Sequence, residues 1–311
     1  MQSKSIASIL IMIICLIACS SMHQTISDEQ KYGQKPPGIT PELYEPDFKF
    51  LKNQNPICLA FSPKGDEICF NVEDTTFKER YERYIIYYVQ RANGDWTTPE
   101  PAYFIPNQGK GALPQFSSDG QQFAYSFKGD LWVSTKKNHR WLAAEKWPEP
   151  INSDTYECGF SFAKGDRFYF ACNGRPDGKS NQCDIYCCNR SNGIYQTPVN
   201  MDSLNTERSE CVLAVEPDEK YIIFTRYFNK SGRNAVDLFI SFHKKDGTWT
   251  EAQRLDPPIN SPGSNHTPTF SPDGKYFFFQ QSIQTPFDSL ETNPYWVSTR
   301  LFDAMRKKVV H

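Results

Sequence analysis

Two carboxylates, Glu157 and Glu210, are the residues of this chain most readily cast as a catalytic pair. In glycoside hydrolysis one such acid protonates the leaving oxygen while the other acts as nucleophile or base, and their separation decides the outcome. With Asn55, Lys110 and His266 they stand eight to ten residues before five recurring tight turns, at Gly65, Gly120, Gly165, Glu219 and Gly274. Polar groups so placed could ring the mouth of a channel and bind a ligand, an ion or a peptide end. They could equally line a wet channel and do nothing more. Gly159-Phe160-Ser161-Phe162-Ala163 lacks the last glycine of a nucleophile elbow and falls in a strand pattern rather than a strand-turn-helix. There is no phosphate loop, dinucleotide fingerprint or clustered histidine motif, so no cofactor is expected.

Sulfur is the other source of reactivity. Cys15 and Cys19 lie in an apolar leader, and the remaining eight are Cys58, Cys69, Cys158, Cys172, Cys183, Cys187, Cys188 and Cys211. An even count in an exported chain allows disulfides without fixing their connectivity. Cys58 with Cys69, and Cys158 with Cys172, flank equivalent turns and are candidates for cross-hairpin pairs; the alternative is a set of small buried hydrophobes. A zinc site from Cys183, Cys187 and Cys188 would need its ligands on one side. Neighbouring residues of a strand face opposite ways, so no metal is expected there.

The elements that position these residues are copies of one unit. FSPKGDEICF from Phe61 recurs as FSSDGQQFAY from Phe116, SFAKGDRFYF from Ser161, VEPDEKYIIF from Val215 and FSPDGKYFFF from Phe270. The five turn positions are 55, 45, 54 and 55 residues apart, a period that means stacked units of one small sheet each. Within each copy a Pro-Asp-Gly type turn joins two strands rich in Phe, Tyr, Ile and Val. Glu219 breaks the glycine pattern, so its hairpin is expected to turn differently. A third strand follows at YIIYYV from Tyr84, DLWVS from Asp130, DIYCC from Asp184, DLFISF from Asp237 and YWVST from Tyr295, and a fourth after a short polar turn in all but the last unit. Four antiparallel strands repeated radially make an all-β fold, a β-propeller of five counted blades, with six requiring a diverged one. The missing strand is expected from Leu43 to Leu51, so that an N-terminal strand closes the ring.

The F-S-P-D-G-K pattern, followed by an aromatic strand and D-[IL]-[YFW], resembles the WD40-like propeller repeats of the TolB type. The resemblance covers roughly residues 43 to 300. It implies a propeller of the kind found in bacterial envelope proteins, often lipoproteins, and in the propeller domains of some peptidases. It does not choose among the many functions this fold hosts.

Residues 1 to 19, MQSKSIASILIMIICLIAC, carry Lys4, a short apolar stretch and a small residue before a cysteine. Leu16-Ile17-Ala18-Cys19 resembles the lipoprotein signal, which implies lipidation of Cys19; Ser20 in place of an aspartate implies the outer membrane. An ordinary cleaved signal or an anchor helix is the alternative. Residues 20 to 42 are expected to be a flexible tether and 43 to 311 a single propeller domain.

With 34 basic against 36 acidic residues the chain has no electrostatic footprint for nucleic acid, and the lipid is its only expected contact with a membrane. The loops between second and third strands, about 71–83, 173–183, 226–236 and 282–294, are longer than a hairpin needs, whereas the opposite face has only short turns. Binding is usually built on such loops, so Arg175, Arg226 and Arg233 join the candidate binding residues. The sequence therefore points to a non-enzymatic cell-envelope lipoprotein whose long-loop face binds an envelope protein or a glycan. The alternative is a glycan- or peptide-active enzyme using Glu157 and Glu210.

Overall fold

The computed structural model describes residues 26–52, 56–79, 82–165, 167–180, 182–230, 233–284 and 290–310. Cys19, Asn55 and the leader lie outside them.

Five antiparallel sheets form the blades of a propeller. In the first four the chain runs from the innermost strand outwards: Pro56–Phe61, Ala112–Phe116, Tyr156–Phe162 and Glu210–Val215 are inner strands, each followed by its hairpin partner and a third strand. The fourth strand is reduced to short pieces such as Asp95–Trp96 and Gln253–Arg254. Blade 5 consists of Ser264–Phe270, Tyr276–Gln284 and Leu290–Ser298, and its outer strand is Glu42–Leu43 from the start of the chain, paired Glu42 with Trp296 and Leu43 with Tyr295. The ring is therefore closed by an N-terminal strand as expected. That strand is shorter and earlier than the sequence suggested: after Tyr44 the chain leaves the sheet, and Phe48 and Phe50 stack on each other against Trp96 of blade 1.

Aromatic residues supply the wedges that packing five radial sheets requires. The five main apolar clusters each lie between neighbouring blades, for example Phe104, Phe116, Phe123 and Trp141 between blades 1 and 2, and Tyr221, Phe242, Phe277 and Phe302 between blades 4 and 5. Offset and edge-on ring contacts of this kind add to the area they bury. Phe302 belongs to a C-terminal helix, Arg300–Val309, that caps the last junction.

The repeated turns follow one plan. Ser62, Ser117 and Ser271 each direct a side-chain oxygen into the turn, while Gly65, Gly120 and Gly274 adopt φ near +70°. Contrary to the expectation for Glu219, its hairpin uses the same geometry, with Glu219 itself at φ +57°. Glu216 takes the serine's place, accepting the amides of Asp218 and Lys220. The Glu219 carboxylate is fixed by the Tyr169 hydroxyl at 2.5 Å and Arg167 at 3.0 Å, interactions that offset the strain of a left-handed non-glycine residue.

Residues 26–42 are docked rather than a free tether. A helix at Asp28–Tyr32, started by a capping box between Ser27 and Gln30, sits on the short-turn face where blades 5 and 1 meet. Tyr32 is wholly buried among Phe61, Tyr276 and Trp296. Lys31 Nζ donates to Pro63 O at 3.2 Å, and Asp28 pairs with Lys275 at 3.0 Å and accepts the Tyr276 hydroxyl at 2.8 Å.

Candidate functional site

The links leading into the inner strands of blades 3, 4 and 5 share a pattern: Ile151-Asn152-Ser153, Leu204-Asn205-Thr206 and Ile259-Asn260-Ser261, each with a polar residue four positions after the hydroxyl. Ile151, Leu204 and Ile259 are core residues. The buried asparagines complete the pairing where the short outer strands end. Asn152 Oδ1 accepts Leu131 N and its Nδ2 donates to Leu131 O and Trp147 O; Asn205 does the same for both groups of Ile185, and Asn260 for those of Leu238.

The hydroxyl then receives the polar residue. Ser153 Oγ donates to Glu157 Oε1 at 2.6 Å, and Thr206 donates through Oγ1 at 2.7 Å and through its amide to Glu210. In blade 5 the equivalent residue is Asn265, not His266: Ser261 N donates to Asn265 Oδ1, and Asn265 Nδ2 donates to the buried Asp237. The sequence offered this signal as [IL]-N-[ST]-x-x-x-[EN], three times over, and counting back from the turns missed it by one residue.

Glu157 and Glu210 are completely buried. Arg226 Nε meets Glu210 Oε1 at 2.6 Å, while Arg175 Nη2 lies 3.7 Å from Glu157 Oε1. Burial raises both carboxyl pKa values, against the opposing pull of hydrogen bonds and the arginines. The arginines are themselves committed. Arg175 donates to the Pro150 and Ile151 carbonyls and lies over Phe170 and Tyr186, and Arg226 donates to Leu204 O and lies over Phe239. These pairs tie the root of each hairpin to the preceding link, and neither carboxylate faces open space.

The other candidates do not complete a ring. Lys110 bonds Glu82 at 3.1 Å and covers the Phe77 ring; Lys128 reaches the same carboxylate at 2.9 Å. Together the two lysines hold Glu82 below its usual pKa and bridge blades 1 and 2. Asn55 and the side chain of Arg233 fall outside the described residues. His266 is mostly buried, with Nε2 2.7 Å from Ser282 Oγ and Nδ1 2.8 Å from Thr267 Oγ1. Hydroxyls suit a neutral imidazole, and burial lowers its pKa from 6.5 to about 4. A lowered pKa means that the unfolded chain binds the extra proton first, so stability is full above pH 6.5 and is lost as pH falls towards 4. We expect this histidine alone to cost about 3 kcal/mol over that window, and His266→Gln to flatten the corresponding part of a plot of unfolding midpoint against pH. An unchanged slope in the variant would show that His266 is not buried neutral.

The sulfur groups also differ from expectation. The eight body cysteines are free thiols, and neither cross-hairpin pair forms: Cys69 stands opposite Ala60, and Cys172 opposite Glu157. Cys172 Sγ lies instead 3.1 Å from Thr155 Oγ1 and 3.2 Å from Arg175 Nε.

On the long-loop face, two of the four presumed loops are continuations of strands. Tyr221–Lys230 and Arg233–Phe242 in blade 4 pair along their whole length, and Tyr276–Gln284 with Leu290–Ser298 in blade 5 do likewise. From Phe228 with Ala235 to Lys230 with Arg233 the blade 4 ribbon runs past its inner strand, which ends at Glu210 opposite Arg226. Tyr227 and Ile283, at the bases of these ribbons, are 42% and 41% exposed. The short-turn face is not featureless: a polar cleft of about 430 Å³ between blades 1 and 2 is lined by Lys64, Asp66, Arg91, Asp119, Lys136 and His139. Its floor is Glu67, held by the Tyr88 hydroxyl at 2.7 Å, Trp141 Nε1 at 2.8 Å and Lys136. Near this face the axial channel narrows to a cavity of about 50 Å³ among Phe61, Phe116, Phe162, Val215 and Phe270, one residue from each blade.

No protein-family model matches the chain, and no curated protein does. Among solved structures, a TolB-type protein from Agrobacterium tumefaciens is similar over 79% of this chain and 77% of its own, with 19% identity and a TM-score of 0.50. A periplasmic gluconolactonase from Pseudomonas aeruginosa covers 75% of this chain and 70% of its own, with 10% identity and a TM-score of 0.45. An α-L-arabinofuranosidase from Podospora anserina covers 75% and 86%, with 11% identity and a TM-score of 0.43. At these identities the likeness to the first shows the propeller fold and nothing of its activity.

Proposed function

We propose that this protein is a non-enzymatic lipoprotein of the cell envelope, anchored through Cys19 in the outer membrane, whose propeller binds an envelope protein or glycan through its long-loop face. The observation that carries this reading is the pair of ribbons in blades 4 and 5. The blade 4 pair runs past its inner strand from Phe228 with Ala235 to Lys230 with Arg233, strand edges of this kind can pair with a partner, and exposed Tyr227 and Ile283 add apolar contact area. The catalytic alternative draws no support from the geometry, because Glu157 and Glu210 are buried in ion pairs. The anchor rests on the leader sequence alone; no described helix is long and apolar enough to cross a membrane.

The test is a pull-down from detergent-solubilised envelopes of the native host, comparing the wild type with a variant shortened within 226–236 and 282–294. A specific partner should co-purify with the wild type and be lost from the shortened protein; retention of the same partner would move the site to another face. In parallel, Cys19→Ser should shift the protein out of the membrane fraction. Its continued sedimentation with membranes would refute the lipid anchor.

A further inference from the structure

Cys183, Cys187 and Cys188 do not share one side of their strand. Cys187 packs with the cluster between blades 3 and 4, and Cys188 with the cluster between blades 2 and 3. The fold assembles a different trio. Cys158 and Cys211 directly follow Glu157 and Glu210, so they occupy equivalent places on the inner strands of adjacent blades; Cys183 begins the third strand of blade 3. Cys158 Sγ lies 2.9 Å from Cys211 Sγ and 3.4 Å from Cys183 Sγ, and all three sulfurs lie within 4.8 Å of one another.

Two further observations make this a built site. Gly159 lets the inner strands approach closely: a Cβ there would stand 2.5 Å from Val212 Cα and 2.9 Å from Cys211 O, so any other residue would force the two blades, and the thiols, apart. Around the sulfurs the wall is apolar, with Ala171, Ile185, Leu204 and Leu213. Cys211 is the half-buried member of the trio.

We propose that Cys158, Cys183 and Cys211 form a three-coordinate site for a soft monovalent cation, with Cu(I) as the ion it fits. Thiolate sulfur selects soft metals, and three ligands without a fourth histidine, cysteine or carboxylate among the described residues favour a trigonal ion over tetrahedral Zn(II). No electron transfer is involved: the ion displaces thiol protons to solvent and each sulfur donates a lone pair.

The test uses the mature chain, reduced and kept anaerobic, with Cu(I) supplied from a chromogenic Cu(I) chelator. One Cu(I) per chain should be withdrawn from the chelator, and Cys158, Cys183 and Cys211 should become resistant to alkylation, read peptide by peptide in the wild type. The C158S/C183S/C211S variant, checked for folding by circular dichroism, should lose the high-affinity copper. Undiminished uptake by that variant would overturn the proposal, as would unchanged alkylation of the three thiols in the wild type. Stoichiometric displacement of Cu(I) by Zn(II), or a Cys158–Cys211 disulfide in protein taken directly from its host, would also overturn it.

Discussion

Replacing Asn260 by alanine should lower the stability of the propeller by about 3 kcal/mol, although the residue touches no ligand and lies in a connecting segment. Its amide serves three backbone groups at once: Leu238 N at 2.9 Å, Leu238 O at 2.9 Å and Leu255 O at 2.6 Å. Leu238 lies within the third strand, Arg233–Phe242, next to the point where pairing with the outer strand Gln253–Arg254 ends, so the side chain is what satisfies its outward amide. Alanine would leave that amide buried without an acceptor, and an orphaned buried donor costs about 1–3 kcal/mol in addition to the bonds lost. The check is the midpoint of chemical denaturation, monitored by tryptophan fluorescence. A loss under about 1 kcal/mol would mean that water enters and replaces the amide. Asn152 and Asn205, which make the same clamp in the neighbouring blades, should behave alike.

Arg226→Met is expected to be at least as damaging, at about 3–5 kcal/mol near neutral pH, because it strands a fully buried carboxylate. The guanidinium is 2.6 Å from Glu210 Oε1 and also serves Leu204 O, so methionine keeps the packing on Phe239 while removing the charge. Glu210 already has its pKa raised by burial with the arginine present. A folded-state pKa above the unfolded one gives a contribution that is complete below the unfolded value and is lost as pH rises through the folded value. The deficit of Arg226→Met should therefore shrink as the pH is lowered from neutral towards 5, and the double variant Arg226→Met/Glu210→Gln should recover much of the stability. If the double variant were no more stable than the single one, the arginine's hydrogen bond and packing, rather than its charge, would be its main contribution.

These two residues illustrate what could be read without coordinates. Turn chemistry and strand periodicity are local, so the repeats at Phe61, Phe116, Ser161, Val215 and Phe270 reported the blades directly. Closure by an N-terminal strand followed from the strand missing after Thr299. Side-chain partners were harder. Glu157 and Glu210 are recognisable as polar residues on inner strands, but only packing shows that Arg175 and Arg226, drawn from the second strand and its loop, bury and neutralise them. The same limit hid the cysteine trio, whose members are 25 and 53 residues away from Cys158 along the chain. The strands of blade 4 run on into 226–236 because their backbones keep pairing past the inner strand, which side-chain alternation does not report. Residues 26–42 were polar enough to pass for a tether; one buried tyrosine and a capping box were sufficient to dock them.

That docked segment has a mechanical consequence. A propeller closed by so short a strand, Glu42–Leu43 with single backbone bonds from Tyr44 N to Pro294 O and from Ser298 N to Gly38 O beside it, would unzip at its seam if tension were applied directly to that strand. Tension entering the chain from upstream of residue 26 instead meets the helix first. There it is opposed by the Asp28 pairing with Lys275, the Lys31 contact with the first hairpin and the lodged ring of Tyr32. The helix spans the two blades that the seam joins, so it spreads a pull across both before any reaches the closing strand. It works as a strain relief, in the way a clamp protects the soldered end of a cable.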